Sequence, residues 1–95
     1  MENQHRKITG YRDLSEADID TMNLIKGHGR MMFDLLQAVK AHVVDQRAAA
    51  MMQPGTEEKA RIDQATPERW IAIANTHFQE GLMALTRAVA QPSSF

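Results

Sequence analysis

Two kinds of residue near the start of the chain have types and spacing suited to chemistry. Tyr11 stands beside Arg12, and Lys26-Gly27-His28-Gly29-Arg30 form a basic cluster further on. A tyrosine ring offers a flat face on which a nucleobase can stack, and a lysine offers a point charge suited to a phosphate. The chemistry implied is the holding of an anion that carries an aromatic base. Gly27 and Gly29 point the same way, because a glycine inside a helix costs about 1 kcal/mol relative to alanine and is kept where something approaches the backbone. Plainer readings stand beside these: Tyr11 can pack an N-terminal arm onto a helix, and the glycines can serve helix packing.

A second set lies towards the other end. Arg69, Thr76, Glu80 and Arg87 are separated by seven, four and seven residues, which places them close together on the polar side of one helix. Solvation explains such a row by default, but repeated about a symmetry axis it can line a shared polar pocket. Trp70, beside Arg69, reads as a half-buried core or interface anchor whose indole donor wants a partner.

Catalysis finds no support in the residue pattern. There is no Gly-rich phosphate loop, no H-E-x-x-H pattern and no nucleophile in a known setting. His5, His28, His42 and His77 share no one-turn spacing, so no pair of imidazoles is set up for a metal. Asp18 with Asp20, and Glu57 with Glu58, are spaced so that they diverge on a helix. No metal and no cofactor is expected.

Composition narrows the partners. The chain has 95 residues, Lys+Arg 11 against Asp+Glu 12, a net charge of -1 and no cysteine. That balance lacks the positive excess of a duplex-binding protein, and without cysteine neither disulfides nor a thiolate zinc site is available. No apolar stretch is long enough to span a bilayer. A chain this short buries a smaller share of its surface than a larger domain, so self-association is the expected remedy.

The elements that must position these residues are helical, and the chain reads as one helical domain. Residues 1–14 form a polar arm, and Ser15 with Asp18 three residues later resembles a capping box. Ile19, Met22, Ile25, Met32, Phe33, Leu36, Val39 and Val43 recur at helical spacing, giving a first helix over 16–52. Leu24, Met31, Leu35 and Val44 widen its apolar stripe beyond the need of a single partner. Gln53-Pro54-Gly55 interrupts it, and 53–65 is a turn with a short solvated helix or loop extension. Thr66 as N-cap and Pro67 at the first position open a second helix over 66–90, with Ile71, Ala74, Phe78, Leu82, Leu85 and Val89 as its stripe. Ala74, Gly81 and Ala88 add a small-residue strip, and 91–95 is a tail. The expected fold is all-α: an antiparallel two-helix hairpin with a short extra helical segment, assembling into a compact homo-oligomer.

HRKITGYRDLSEADIDTMNLIK at the start and RWIAIANTHFQEGLMALTRAVAQP at the end resemble the Acb2 family of phage anti-CBASS proteins, which are cyclic-oligonucleotide sponges. The blocks that carry it are G-Y-R-[DE]-L-S and G-x-M-A-L-x-R-A-V-A-x-P, whereas Ala48 to Ala65 fits no pattern recognised here. The resemblance implies a compact helical homohexamer. Cyclic dinucleotides of the 3′,3′-cGAMP type would sit between protomers and cyclic trinucleotides in separate pockets near three-fold axes. By matching position, Tyr11 would stack on a base of the dinucleotide and Lys26 would contact its phosphate. Arg69 and Thr76 are the choices for the trinucleotide pocket, with Arg87 in reserve. The expected function is sequestration without cleavage, in the cytoplasm of the infected bacterial host, keeping the CBASS effector off. The rivals are a structural or adaptor oligomer that docks on a protein, and a phosphodiesterase that destroys the messenger.

Overall fold

A computed structural model describes residues 12–53, 55 and 57–93. Helix α1 spans Glu16–Met51, α2 spans Glu58–Ala65 and α3 spans Pro67–Ala90. The start of α1 follows from its side chains. Ser15 Oγ accepts from the Asp18 N–H at 3.1 Å, and Asp18 Oδ2 accepts from the Ser15 N–H at 2.9 Å, so two of the orphan donors of the first turn are satisfied reciprocally. The helix stops one residue before the expected end, with Met52 as its C-cap, and Gly55 at φ 90° supplies a left-handed conformation that is cheap only for glycine.

Contacts along the pair establish the direction of α3. Arg12 meets Val89, a Cβ at Gly29 would meet Leu82, and Arg47 meets Glu68, so the sequence rises on one side as it falls on the other. The helices are antiparallel. Leu36, Val43 and Ala50, at intervals of seven, form the buried line of α1. On α3 the expected stripe faces α1 in large part: Ile71, Ala74, Phe78, Leu82 and Val89 are half-buried, while Leu85 is exposed.

The segment between the long helices is a true helix, and it contributes to the core. Ile62 is the most completely buried side chain among the described residues, at 2% exposure, although the segment around it has few apolar residues. Burying one isoleucine contributes about 1.5–3 kcal/mol towards holding these two turns of helix on α1. Three ion pairs reinforce this corner. Arg47 donates to Asp63 Oδ1 at 2.7 Å and, through two nitrogens, to the Glu68 carboxylate, while Lys59 meets Asp63 at 2.8 Å.

Thr66 corrects an expectation. Its carbonyl accepts from the Arg69 N–H at 3.1 Å, as an N-cap carbonyl does, but its side chain makes no cap. The backbone lies in the left-handed region at φ 48°, and the hydroxyl donates instead to the Ala65 carbonyl at 2.8 Å. The cause is that Thr66 also closes α2: as its C-cap, with its N–H donating to the Ile62 carbonyl at 3.1 Å, it takes the left-handed conformation that reverses the chain into α3, and Pro67 keeps α2 from running on.

The molecule is a rod, 70 × 22 × 18 Å. Two helices side by side leave much of each apolar stripe uncovered: Leu24, Met31, Leu35, Val44, Trp70 and Met83 are all exposed. Trp70 is the second correction. At 58% exposure it is less buried than its size predicts, and the Arg69 guanidinium lies 5.2 Å from the ring centroid.

Candidate anion-binding groove

A groove of about 820 Å³ runs between the first half of α1 and the last turns of α3. Its α1 wall carries Lys26, Gly29, Arg30, Phe33 and Asp34, and its α3 wall carries Leu82, Met83, Thr86 and Arg87. The α1 set follows from helical spacing: Lys26, Arg30 and Asp34 recur every four residues, with Gly29 and Phe33 beside them. Gly27 and His28, members of the same basic cluster in sequence, do not line this groove.

Gly29 shows why a glycine is needed there. A Cβ at this position would stand 3.2 Å from Leu82 Cδ1, tighter than ordinary van der Waals contact, so the Leu82 side chain packs on the bare backbone of α1 here. For Gly29 the packing reading is therefore correct. At Gly27 a Cβ would meet nothing within 4 Å, so among the described residues none accounts for it.

The electrostatics favour an anion. Three cations, Lys26, Arg30 and Arg87, face one carboxylate, Asp34. Lys26, Arg30 and Asp34 make no ion pair with the described residues, although Arg30 and Asp34 stand at the i, i+4 spacing that brings Lys59 and Asp63 together. Apolar surface from Ile25, Phe33, Leu82 and Met83 lies between the charges. Such a site suits an elongated anion with flat apolar parts. The Thr86 hydroxyl donates to the Leu82 carbonyl at 2.9 Å, which ties it to its own helix.

One end of the groove is braced. Arg12 donates to Asp18 Oδ2 at 2.8 Å and to the Val89 carbonyl at 2.7 Å, joining the start of α1 to the end of α3. The second bond satisfies one of the last-turn carbonyls that a helix leaves without partners. The arginine and the capping box together hold the Asp18 carboxyl down at about 2. Ala90 and Pro92, just past Val89, line the groove at this end.

The candidate residues separate into three groups. Tyr11 lies outside the described residues, as does His5. Lys26 and Arg87, read apart in sequence, come together in the groove. Arg69 and Thr76 lie elsewhere on α3, exposed and outside this groove, with Arg69 about 27 Å along the helix from Arg87. Sequence reasoning missed Phe33, Asp34 and Met83 as wall residues. The fourfold spacing of Lys26, Arg30 and Asp34 was the available signal for Asp34. Among the described residues no group of three or more His, Cys, Asp or Glu side chains could hold a metal ion, and no described helix is long and apolar enough to cross a membrane.

With the geometry in place, similarity to known proteins is decisive for the family. The Acb2/Tad1 hairpin domain matches residues 3–90. The chain belongs to that family. Anti-CBASS protein 2 of Pseudomonas phage JBD67 is 43% identical over 105 aligned positions, covering 97% of each protein. The Acb2/Tad1 hairpin match runs through Ala48 to Ala65, the stretch whose sequence carried no recognisable pattern, so α2 and its turn fall within the family domain.

Proposed function

We propose that this protein is a phage anti-defence sponge, which sequesters cyclic dinucleotides and cyclic trinucleotides without cleaving them and so blocks activation of the CBASS effector. The observation that carries the reading is the convergence of Lys26, Arg30 and Arg87 on one groove with apolar surface between them, in a relative of a phage anti-CBASS protein. In this reading Lys26 contacts a phosphate of a 3′,3′-cGAMP-type dinucleotide and Tyr11 stacks on a base. Arg69 and Thr76 contact a trinucleotide in a separate pocket. The protein acts in the cytoplasm of the infected bacterium, needs no cofactor and works by stoichiometry, so its strength is affinity multiplied by concentration.

The sites are completed between protomers of a homohexamer. What supports assembly is the uncovered apolar surface, including a second groove of about 340 Å³ with Leu35, Val39, Trp70 and Phe78 in its walls. Large contiguous apolar surface of this kind marks an interaction site. Light scattering of the purified protein is expected to give a multiple of the 10.7 kDa chain, and a clean monomer at micromolar concentration contradicts intersubunit sites.

Binding is tested by calorimetry with 3′,3′-cGAMP and with a cyclic trinucleotide. Heat of binding is expected for both, and absence of heat for both overturns the sponge reading. The same apolar groove favours one other reading, an adaptor that docks on a host protein. The adaptor keeps its activity after Tyr11→Ala and Lys26→Ala, whereas the sponge loses dinucleotide capture.

A further inference from the structure

We infer that Arg87 is a second phosphate-binding residue of the dinucleotide site, working across the groove from Lys26 and Arg30. The inference rests on the proposed function and adds to it the way the two helices share the ligand. A cyclic dinucleotide is a closed ring with two phosphodiesters on opposite sides and two flat bases. Lys26 and Arg30 stand on the same wall and meet one of those charges, which leaves the other, on the far edge of the ring, to enter the groove without a partner at a cost in desolvation. The groove itself supplies the remedy.

Lys26 and Arg30 are four residues apart on α1, about 6 Å along the axis, and so form one cationic wall. Arg87 belongs to α3 and lines the facing wall. Between the walls the surface is apolar, from Ile25, Phe33 and Leu82. The narrow floor at Gly29 and Leu82 sets the two walls close together. Cations on opposite walls over an apolar floor match a ring that carries its charges on opposite edges. A guanidinium also suits the task, because its planar fork can engage two phosphate oxygens at once and it stays charged at any working pH. The brace from Arg12 to the Val89 carbonyl, two residues beyond Arg87, ties the end of α3 to the start of α1 and so maintains the distance between the walls.

The test is calorimetry on the full chain in its own assembly, with 3′,3′-cGAMP as the probe. Arg87→Gln is expected to weaken binding about tenfold, the loss typical of a hydrogen bond to a charged group. Arg87→Lys is expected to recover part of that loss. Arg61→Gln, which removes the same charge from α2, is expected to leave affinity within about twofold, so that a general change in electrostatics is told apart from a contact. If Arg87→Gln disturbs the helix content or the assembly, Arg87→Lys against wild type gives the answer alone, because it keeps the charge and loses the fork. The inference is overturned if Arg87→Gln folds and binds as wild type does, or if Arg61→Gln costs as much. Wild-type protein that takes up no 3′,3′-cGAMP at all overturns the sponge reading and this inference with it, whereas tight wild-type binding with an indifferent Arg87 overturns this inference alone.

Discussion

Basic side chains stand along the seam between the two long helices in two places, and they are used in opposite ways. At the α2 corner Arg47 is consumed internally: Asp63 and Glu68 take its donors, and Lys59 shares Asp63. At the other end Lys26 and Arg30 face a groove and make no ion pair with described residues, while Arg87 lines the opposite wall. The same residue types thus serve as clamp in one place and as a receptive surface in the other. What separates the two is the supply of carboxylates: Asp63 of α2 and Glu68 of α3 both close on the one arginine of the clamp, whereas a single carboxylate, Asp34, lies among the cations of the groove. Lys26 and Arg30 are available to a ligand because no described carboxylate has taken them.

The largest expected effect breaks the comparison at its receptive end. Lys26→Ala should weaken 3′,3′-cGAMP binding by about tenfold to a hundredfold, with helix content and melting temperature unchanged. Arg47→Met should do the reverse. It should lower the melting temperature by several degrees as α2 loosens from α1, and leave nucleotide affinity within about twofold in calorimetry. Equal effects of the two variants on both measurements would remove the distinction between clamp and groove.

Acid sharpens the same comparison. Arg47 and Lys59 hold the Asp63 carboxyl below its ordinary range, and Arg47 does the same for Glu68. Arg12 holds Asp18 at about 2. A depressed carboxyl contributes stability that is fully present above its unfolded pKa, near 4, and is lost as pH falls through the folded value. Helix content should therefore be flat from neutrality to about pH 4 and fall below it, and Glu68→Gln should flatten that fall in part. Because all of these groups are at least partly open to solvent, added salt should weaken the effect.

Much of the scaffold was legible because it is local. The capping box at Ser15, Pro67 at the start of α3 and the stripe from Ile71 to Val89 are all set by residues within a few positions of each other. What was not legible depends on distant residues. Nothing near Arg47 in sequence announces Glu68, 21 positions away, and one isoleucine in a polar stretch does not announce the most buried side chain of the described residues. The groove was half legible: the cluster at Lys26 to Arg30 names its wall on α1, but that Arg87 faces it depends on the register of α3, which is set at Gly29 and Leu82. Thr66 departs from the expected side-chain cap because one residue both ends α2 and begins α3, and the left-handed C-cap of α2 replaces the extended backbone that such a cap needs.

Smaller effects test that register and that turn. Thr66→Gly should stabilise the fold by about 1 kcal/mol, since a β-branched residue in the left-handed region is strained and glycine is not, read as a rise in denaturation midpoint. Gly27→Ala should stabilise by up to about 1 kcal/mol if no second chain approaches it, whereas Gly29→Ala should yield less because Leu82 must shift. If Gly27→Ala instead destabilises the protein or dissociates the assembly, another protomer packs on that backbone.

The central claim is that the receptive end captures a cyclic nucleotide and leaves it whole. The most direct measurement is to load the protein with 3′,3′-cGAMP, remove the free ligand, release the bound fraction by heat and chromatograph it. The account predicts recovery of intact cyclic dinucleotide from wild type and little from Lys26→Ala. Linear products, or equal recovery from the two proteins, would contradict it.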